Sequence, residues 1–468
     1  MPLILGTNSI KDTGYDVANS LRFDDGGSEY LQRTPSSTGN RKTWTFSTWI
    51  KRSGIGLSAP MNVFGGEDGA SRYTDIMIGT PSGADDTFWF KQDTGTVAEL
   101  RSTLKLRDPS AWYHLVFVYD STNGTADDRM KMYVNGVQLT SFVTRTNVGS
   151  NVDSYVNTSG DNNYVGVYDG SSKWLDGYLC ETTLIDGTAL TPTSFGEYNE
   201  DSPTIWQPID VSGLTFGTNG FYLDFEDSSA LGNDVSGNNN DFTVNNLTAT
   251  DQSTDTCTNN FATWNGVKPL TRGALSEGNL VFTGVSGAET TYSSIGASSG
   301  KWYFEVKGTT NGDRMSVGCA QKFVQGDQHQ QTTNTNGIGY DGVTGSLYVN
   351  NSDVATYSTY SNTDIIGVAL DLDNRKIYFS VNGTWQNSAD PSAGSNGYSL
   401  PSNLTDEDFW FFAISDTYGS GATSWSANFG SPQFSISSGN SDPNGYGNFE
   451  YGTENFYALN TKNLAEYG

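Results

Sequence analysis

The chain has 468 residues, 13% of them aromatic and only 16% charged, with 54 glycines. That profile belongs to many short strands joined by polar turns. It excludes a helical bundle rich in Glu, Lys, Ala and Leu, and a disordered chain poor in aromatic residues. The 25 Lys+Arg against 52 Asp+Glu give a net charge of -27, which repels phosphate backbones and anionic lipid and so argues against nucleic acid or membrane as a partner.

A chain of this length holds two or three domains. Cys180, Cys257 and Cys319, odd in number and far apart in the chain, make no disulfide framework; Cys180 and Cys319 read as small buried hydrophobes within strands. No stretch approaches the roughly 18 apolar residues of a membrane helix. The opening MPLILGTNSIKD lacks the basic n-region of a secretory signal. A composition suited to extracellular conditions without an export address fits a particle released by lysis.

In chain order, residues 1–16 form a short arm that docks on a neighbour or on its own domain. Residues 17–200 read as one β-sandwich. SLRFDDGGSEYLQR from Ser20 is a strand, an Asp-Gly turn and a strand. In RKTWTFSTWIKR, Trp44, Phe46 and Thr48 alternate with Thr45, Ser47 and Trp49. WYHLVFVYDSTNGTADDRMKMYVNGVQL, from Trp112 to Leu139, is a hairpin closed by Asn135-Gly136, a pair that tolerates positive φ at both positions. NNYVGVYDG and KWLDGYLCETTLIDG follow. Thr191-Pro192 marks one helical turn, with Thr191 as cap.

Residues 201–272 change texture to Asn, Asp, Ser and Thr. Anchors such as Phe221, Leu223, Phe225, Phe242 and Trp264 are too many for a free linker, so this connector is expected to be extended and pinned to domain surfaces. Residues 273–435 read as a second sandwich. Its clearest stretch, DIIGVALDLDNRKIYFSVNGTWQ from Asp364 to Gln386, repeats the first hairpin's pattern: Val368, Leu370, Ile377, Phe379 and Val381 inward, Tyr378 and Ser380 outward, Asn382-Gly383 at the turn. Residues 436–468 form an extended tail that docks through Phe456, Tyr457 and Leu459. The fold class is all-β, with two sandwiches in tandem.

With these residues in view, 17–200 resembles a LamG/concanavalin A-like module, on SLRFDDGGSEYL, WTFSTWIKR, WYHLVFVYD and YVGVYDGSSKWLDGYLCETTLIDGTALTPTSF. The second region resembles a SPRY domain, on GKWYFEV, IGVALDLDNRKIYFSVNGTW and FWFFAIS. The combination with GTNGFYLDFEDSSALGNDVSGNNNDFTV, NNFATWN and YALNTKNL resembles bacteriophage virion proteins of the marine and cyanophage type. That resemblance implies a short tail appendage, fibre or capsid decoration, homo-oligomeric (a trimer among the forms allowed) and in contact with other virion proteins. It also implies a place on the virion and attachment to a host-surface glycan or protein.

Catalysis is poorly supplied. Retaining glycosidases on concanavalin-like folds need paired carboxylates about 5 Å apart, and neither E-x-D-x-x-E nor E-x-D-x-E occurs; Glu181 and Glu305 lack partners at that spacing. His114 lies in an apolar strand and His329 in a polar loop, too few for a zinc site or a triad. The reading is therefore not an enzyme, with a polysaccharide-degrading enzyme and a bacterial surface lectin or adhesin as the rival classes. Loop aromatics suited to stacking on sugar rings are Tyr168, Trp174, Trp385, Tyr398 and Tyr418, each equally suited to covering a sandwich edge. No cofactor is implied apart from Ca²⁺. The acidic loops at Asp24, Asp25, Asp161 and Asp169, with Asp85-Asp86 and Asp127-Asp128, offer oxygen ligands for it, although adjacent aspartates are also ordinary turn formers.

Overall fold

The computed structural model describes residues 14–56, 59–69, 72–80, 83–285, 289–310, 315–321, 337–402, 409–416 and 422–468. The arm up to residue 13, His329 and Tyr418 lie outside the described residues. The chain divides into two compact units, Thr13–Thr258 and one containing Asn259–Gly468. Each is a β-sandwich, as the alternation requires.

In the first unit, sheet 1 runs in space Val137–Gln138, Met130–Val134, Trp112–Asp120, Thr43–Arg52, Gly177–Asp186, Ser20–Phe23, Gln252–Ser253, with Phe221–Leu223 also paired to Gly177–Asp186. Sheet 2 runs Phe142–Thr146, Val97–Lys105, Gly83–Asp93, Tyr73–Thr80, Met61–Glu67, Asn162–Val165, Tyr30–Arg33, Thr243–Asn245. One side of each strand points into a shared core. Trp44, Phe46, Leu115 and Phe117 from sheet 1 meet Phe64, Ile76, Phe88 and Phe90 from sheet 2. The Phe46 and Phe64 rings stack at 4.4 Å. Each such fully buried side chain stabilises the fold by about 1.5–3 kcal/mol.

The outer face of sheet 1 is also dry. Val116, Val118, Tyr133 and Ile185 are covered by Phe195, Val211 and Phe216 from the irregular stretch that follows. Of the stretch 201–272, expected as a connector, residues 201–258 supply four strands to this unit: Trp206–Pro208, Phe221–Leu223, Thr243–Asn245 and Gln252–Ser253. The helical turn at Pro192–Ser194 is a single 3-10 turn, and Thr191 makes no side-chain cap; its hydroxyl bonds Thr193 instead.

In the second unit, sheet 3 runs Gly273–Ser276, Val281–Gly284, Thr423–Asn428, Lys301–Thr310, Ile365–Asp371, Lys376–Val381, Thr384–Trp385; sheet 4 runs Glu289–Tyr292, Phe411–Asp416, Met315–Ala320, Gly337–Asp341, Ser346–Val349, Ser352–Thr356. Phe304, Val368, Leu370 and Phe379 face Val317, Ile338, Tyr340 and Phe412 across the core. Tyr378 and Ser380 take the outward side, as the alternation gives, but solvent does not reach them: each is 1% exposed. Phe261, Phe449, Phe456 and Ala458 pack over Tyr303, Ala369 and Tyr378.

The tail is not extended throughout. Its last turns form the α-helix Thr461–Tyr467, capped by the Asn460 side chain accepting from the Asn463 N–H. Seven residues are too few to hold a helix alone; burial of Leu464 and stacking of Tyr467 on Tyr457 at 3.9 Å hold this one.

The two hairpins are built alike. Asn135 and Gly136 have φ of 46° and 79°, Asn382 and Gly383 48° and 75°, the positive pair that a two-residue hairpin turn requires. In each, the asparagine side chain accepts from the strand opposite, from His114 N–H at 2.8 Å and Ile365 N–H at 2.9 Å. A later aromatic ring then seats on each glycine, Trp206 on Gly136 and Tyr451 on Gly383, so closely that a Cβ would collide.

Candidate binding face on sheet 2

Ile76 and Ile78 point into the core, so Tyr73, Asp75 and Met77 stand on the outer side of sheet 2. Cross-strand pairing extends that row: Lys91 lies opposite Asp75, Asp75 opposite Gly65, Gly65 opposite Tyr164, and Tyr164 opposite Gln32. The loop after Asn162–Val165 folds back across it. Asn62 Nδ2 donates to the Val167 carbonyl at 2.7 Å, and Asn62 N–H donates to the Lys173 carbonyl at 2.9 Å. Asp169 closes the loop, accepting from the Ser171 N–H and from the Ser171 and Ser172 hydroxyls. Burial opposes ionisation of Asp169, but these donors outweigh it and hold its carboxyl below the ordinary range.

The loop brings two of the expected aromatic residues onto the sheet. Tyr168 meets Tyr73 edge-on at 5.3 Å, and Trp174 lies 5.7 Å from Tyr30, which in turn packs on Tyr164. Lys173 sits over the Tyr168 ring at 3.4 Å and Lys91 over the Tyr73 ring at 5.2 Å. Tyr30, Tyr73, Tyr168 and Trp174 are all half-buried.

Beneath this layer lies Asp75, 1% exposed, with neither carboxylate oxygen hydrogen-bonded. It lies across Gly65, where any Cβ would strike it. Burial pushes its carboxyl well above the usual range, against the pull of Lys173 and Lys91. Glu67, at the edge of the same face, is also pushed up, by burial first and then by Asp169, Asp68 and Asp161. Pattern reading missed Tyr30, Tyr73 and Asp75 because they lie in strands, where an outward residue looks like ordinary surface. Asp75 in YTDIMIG, a charge inside an apolar strand, was the available signal.

Of the remaining aromatic candidates, Trp385 and Tyr398 lie in the second unit and cover its edge. Trp385 packs near Tyr303 and Tyr378, each at 6.5 Å; Tyr398 pairs with Ile377 in register. Of the acidic candidates, Asp24 Oδ2 accepts from the Gly27 N–H as a turn former, while Asp25 is exposed. Asp161 is half-buried and raised, by burial first and then by Asp68. Asp85 and Asp86 bind arginines: Asp85 takes Arg101, and Asp86 takes Arg52 at 3.1 Å and Arg107 at 2.8 Å. Asp127 and Asp128 pair with Arg145 and Lys131. Among the described residues no three metal-capable side chains gather.

The isolated glutamates have structural partners. Glu305 is buried and accepts from the Glu450 and Tyr451 N–H groups at 2.9 and 2.8 Å, from Asn428 Nδ2 and from the Tyr303 hydroxyl. Glu181, at a left-handed φ of 51° in a bulge, accepts from the Tyr222 hydroxyl at 2.8 Å. Burial pushes both carboxyls up to about 7. His114 is sealed between Trp49 and Trp206, with Nδ1 accepting from Trp206 Nε1 at 2.9 Å and Nε2 bonded to the Ser47 hydroxyl at 2.8 Å. Burial lowers it to about 3, so it is the neutral Nε2–H tautomer.

Residues 25–194 match the concanavalin A-like lectin/glucanases superfamily, and residues 301–393 match the SPRY domain. Among solved structures, the SPRY domain of human HERC1 is 20% identical over 32% of this chain and 87% of its own, with a TM-score of 0.26. A heptameric SAP-like pentraxin from Limulus polyphemus is 17% identical over 38% of this chain and 80% of its own, at 0.28. The TRIM65 PSpry domain is 13% identical over 36% of this chain and 91% of its own, at 0.28. The search of curated proteins found no match.

Proposed function

We propose that this chain, which carries a concanavalin A-like module and a SPRY module, is a non-enzymatic binding protein whose first module takes a glycan on the outer face of sheet 2. One observation carries the reading: a buried carboxyl with both oxygens unpartnered lies under half-exposed tyrosines. Aromatic rings suit the apolar C–H faces of a sugar, and a carboxyl between two lysines with both oxygens unpartnered suits its hydroxyls. Glu181 and Glu305 are engaged in holding strands and tail, which supports binding without catalysis. The likeness of NRKTWTFSTWIKR, LIDGTALTPTSFGE and YALNTKNL to phage virion proteins supports display on a particle, as a homo-oligomeric appendage or decoration that meets a host surface. The acidic surface suits solubility at high copy number.

A glycan array followed by titration calorimetry tests the binding reading. Tyr168→Ala is expected to weaken the selected glycan about tenfold, since an aromatic contact contributes about 0.5–1.5 kcal/mol beyond its area. Asp75→Asn should weaken it further while the protein stays folded. Unchanged affinity in both variants would overturn the assignment of the face, and release of new reducing ends from the glycan would overturn the non-enzymatic reading. Labelling the chain in purified particles by antibody would place it on head or tail, and its absence from particles would remove the virion reading.

A further inference from the structure

Residues 248–258 run as a strap over the outer face of sheet 1, beyond the short pairing of Gln252–Ser253 with Ser20–Phe23. Buried contacts pin it at intervals. Arg22 meets Asp251 at 2.8 Å, Lys51 meets Asp255 at 2.6 Å, the Ser20 hydroxyl donates to the Asp255 carbonyl at 2.6 Å, and the Val17 N–H donates to the Thr258 hydroxyl at 3.0 Å. Between the strap and the Gly177–Asp186 strand lie two sulfur atoms. Cys180 Sγ and Cys257 Sγ are 3.6 Å apart, and both are free thiols. Val17, Trp49 and Trp206 wall them in, with Tyr15 and Trp112 partly buried at the rim. Far apart in the chain, the pair meets in space: 77 positions of sequence separation close to van der Waals contact because the strap returns to the strand. Cys180 has no exposure, whereas Cys257 is half-buried.

We propose that Cys180 and Cys257 form an oxidation site which a small-molecule disulfide closes into a bond, stapling the strap to sheet 1 at the point where the chain leaves the first unit. The reaction balances as two exchanges. The Cys257 thiolate attacks one sulfur of oxidised glutathione and releases one glutathione thiolate. The Cys180 thiolate then attacks Cys257 Sγ in the mixed disulfide and releases the second, and the two protons lost by the cysteines go to the two leaving thiolates. Closure moves the sulfurs from 3.6 Å to about 2.05 Å, a shift within reach of side-chain rotation and a small movement of the strap. Burial, the Cys180 sulfur and the Glu181 carboxylate all push the Cys257 thiol up, so the exchange is slow at neutral pH and faster in mild alkali. Cys319 sits alone and fully buried in the other core and takes no part. On the reading of a particle released by lysis, the chain would fold with thiols and be stapled afterwards.

The test uses the full chain, incubated with oxidised glutathione or with a phosphine reductant and then denatured for thiol titration and peptide mapping. The expected result is a fall from three thiols to one, a linked Cys180–Cys257 peptide, and a higher thermal midpoint for the oxidised form that Cys257→Ser abolishes. In Cys180→Ser, glutathione should remain attached to Cys257 because the resolving thiol is missing. A stable glutathione adduct on wild-type Cys257, or three thiols persisting after prolonged exposure in mild alkali, would overturn the proposal. These readouts involve no glycan and no virion, so their outcome is independent of the binding reading.

Discussion

Replacing Asp255 by alanine removes the anion that holds the strap on sheet 1. In the native fold its carboxylate takes Lys51 Nζ at 2.6 Å and Trp112 Nε1 at 3.1 Å, and the Lys51 and Asp255 side chains are 1% and 2% exposed. The variant takes the Asp255 carboxylate away from the buried Lys51 ammonium, which also lies 5.7 Å from the Tyr178 ring. Breaking one side of a buried pair costs about 3–5 kcal/mol, far more than the pair contributes relative to an apolar replacement. The unit's denaturant midpoint should fall accordingly, with little change in slope. Because the same strap carries Cys257, native-state reactivity of that thiol toward a disulfide reagent should rise several-fold. The double variant Lys51→Met, Asp255→Leu should recover most of the stability, since it removes the buried ammonium together with its carboxylate. A loss under about 1 kcal/mol for Asp255→Ala, with unchanged thiol reactivity, would refute the claim that buried pairing fixes the strap.

Other outcomes follow from the same geometry. His114 has its folded pKa depressed from 6.5 to about 3. Its contribution to stability is full above pH 6.5 and is lost as pH falls toward 3, up to about 4 kcal/mol; denaturation curves at stepped pH should show this loss, and a His114→Gln variant that folds should show less of it. Glu305 has its folded pKa raised from 4.5 to about 7. Its contribution is therefore full below pH 4.5 and lost as pH rises through 7, so Glu305→Gln should flatten that part of the profile in the second unit. The same variant keeps a single acceptor oxygen for the two N–H groups of Glu450 and Tyr451, and limited proteolysis should cut faster near Tyr451 than in the wild type. Gly383→Ala should destabilise the second unit by more than about 1 kcal/mol, since φ is 75° and the Tyr451 ring occupies the Cβ position; a neutral effect in thermal melts would contradict that packing.

Alternation in Trp112–Leu139 and Asp364–Gln386 determined the two sandwiches, their hairpins and the inward residues, because period-two patterning and Asn-Gly turns are local physics. The two modules were legible as resemblances, on runs such as WTFSTWIKR and IGVALDLDNRKIYFSVNGTW. What covers each outer face was not legible. Tyr378, Ser380, Val116 and Val118 are dry only because irregular segments, Phe195 to Phe216 in one unit and Phe449 to Ala458 in the other, pack back on them. The helix at Thr461 escaped pattern reading since its stability comes from Leu464 and Tyr467 finding partners. At the binding face, Tyr168 and Trp174 were visible as loop aromatics, but Tyr30, Tyr73 and Asp75 join them only through strand pairing over long sequence distances. The same holds for Cys180 and Cys257. Local sequence specified which side of each strand faces inward; only the tertiary structure decided which outward side chains meet, because that depends on where distant segments return.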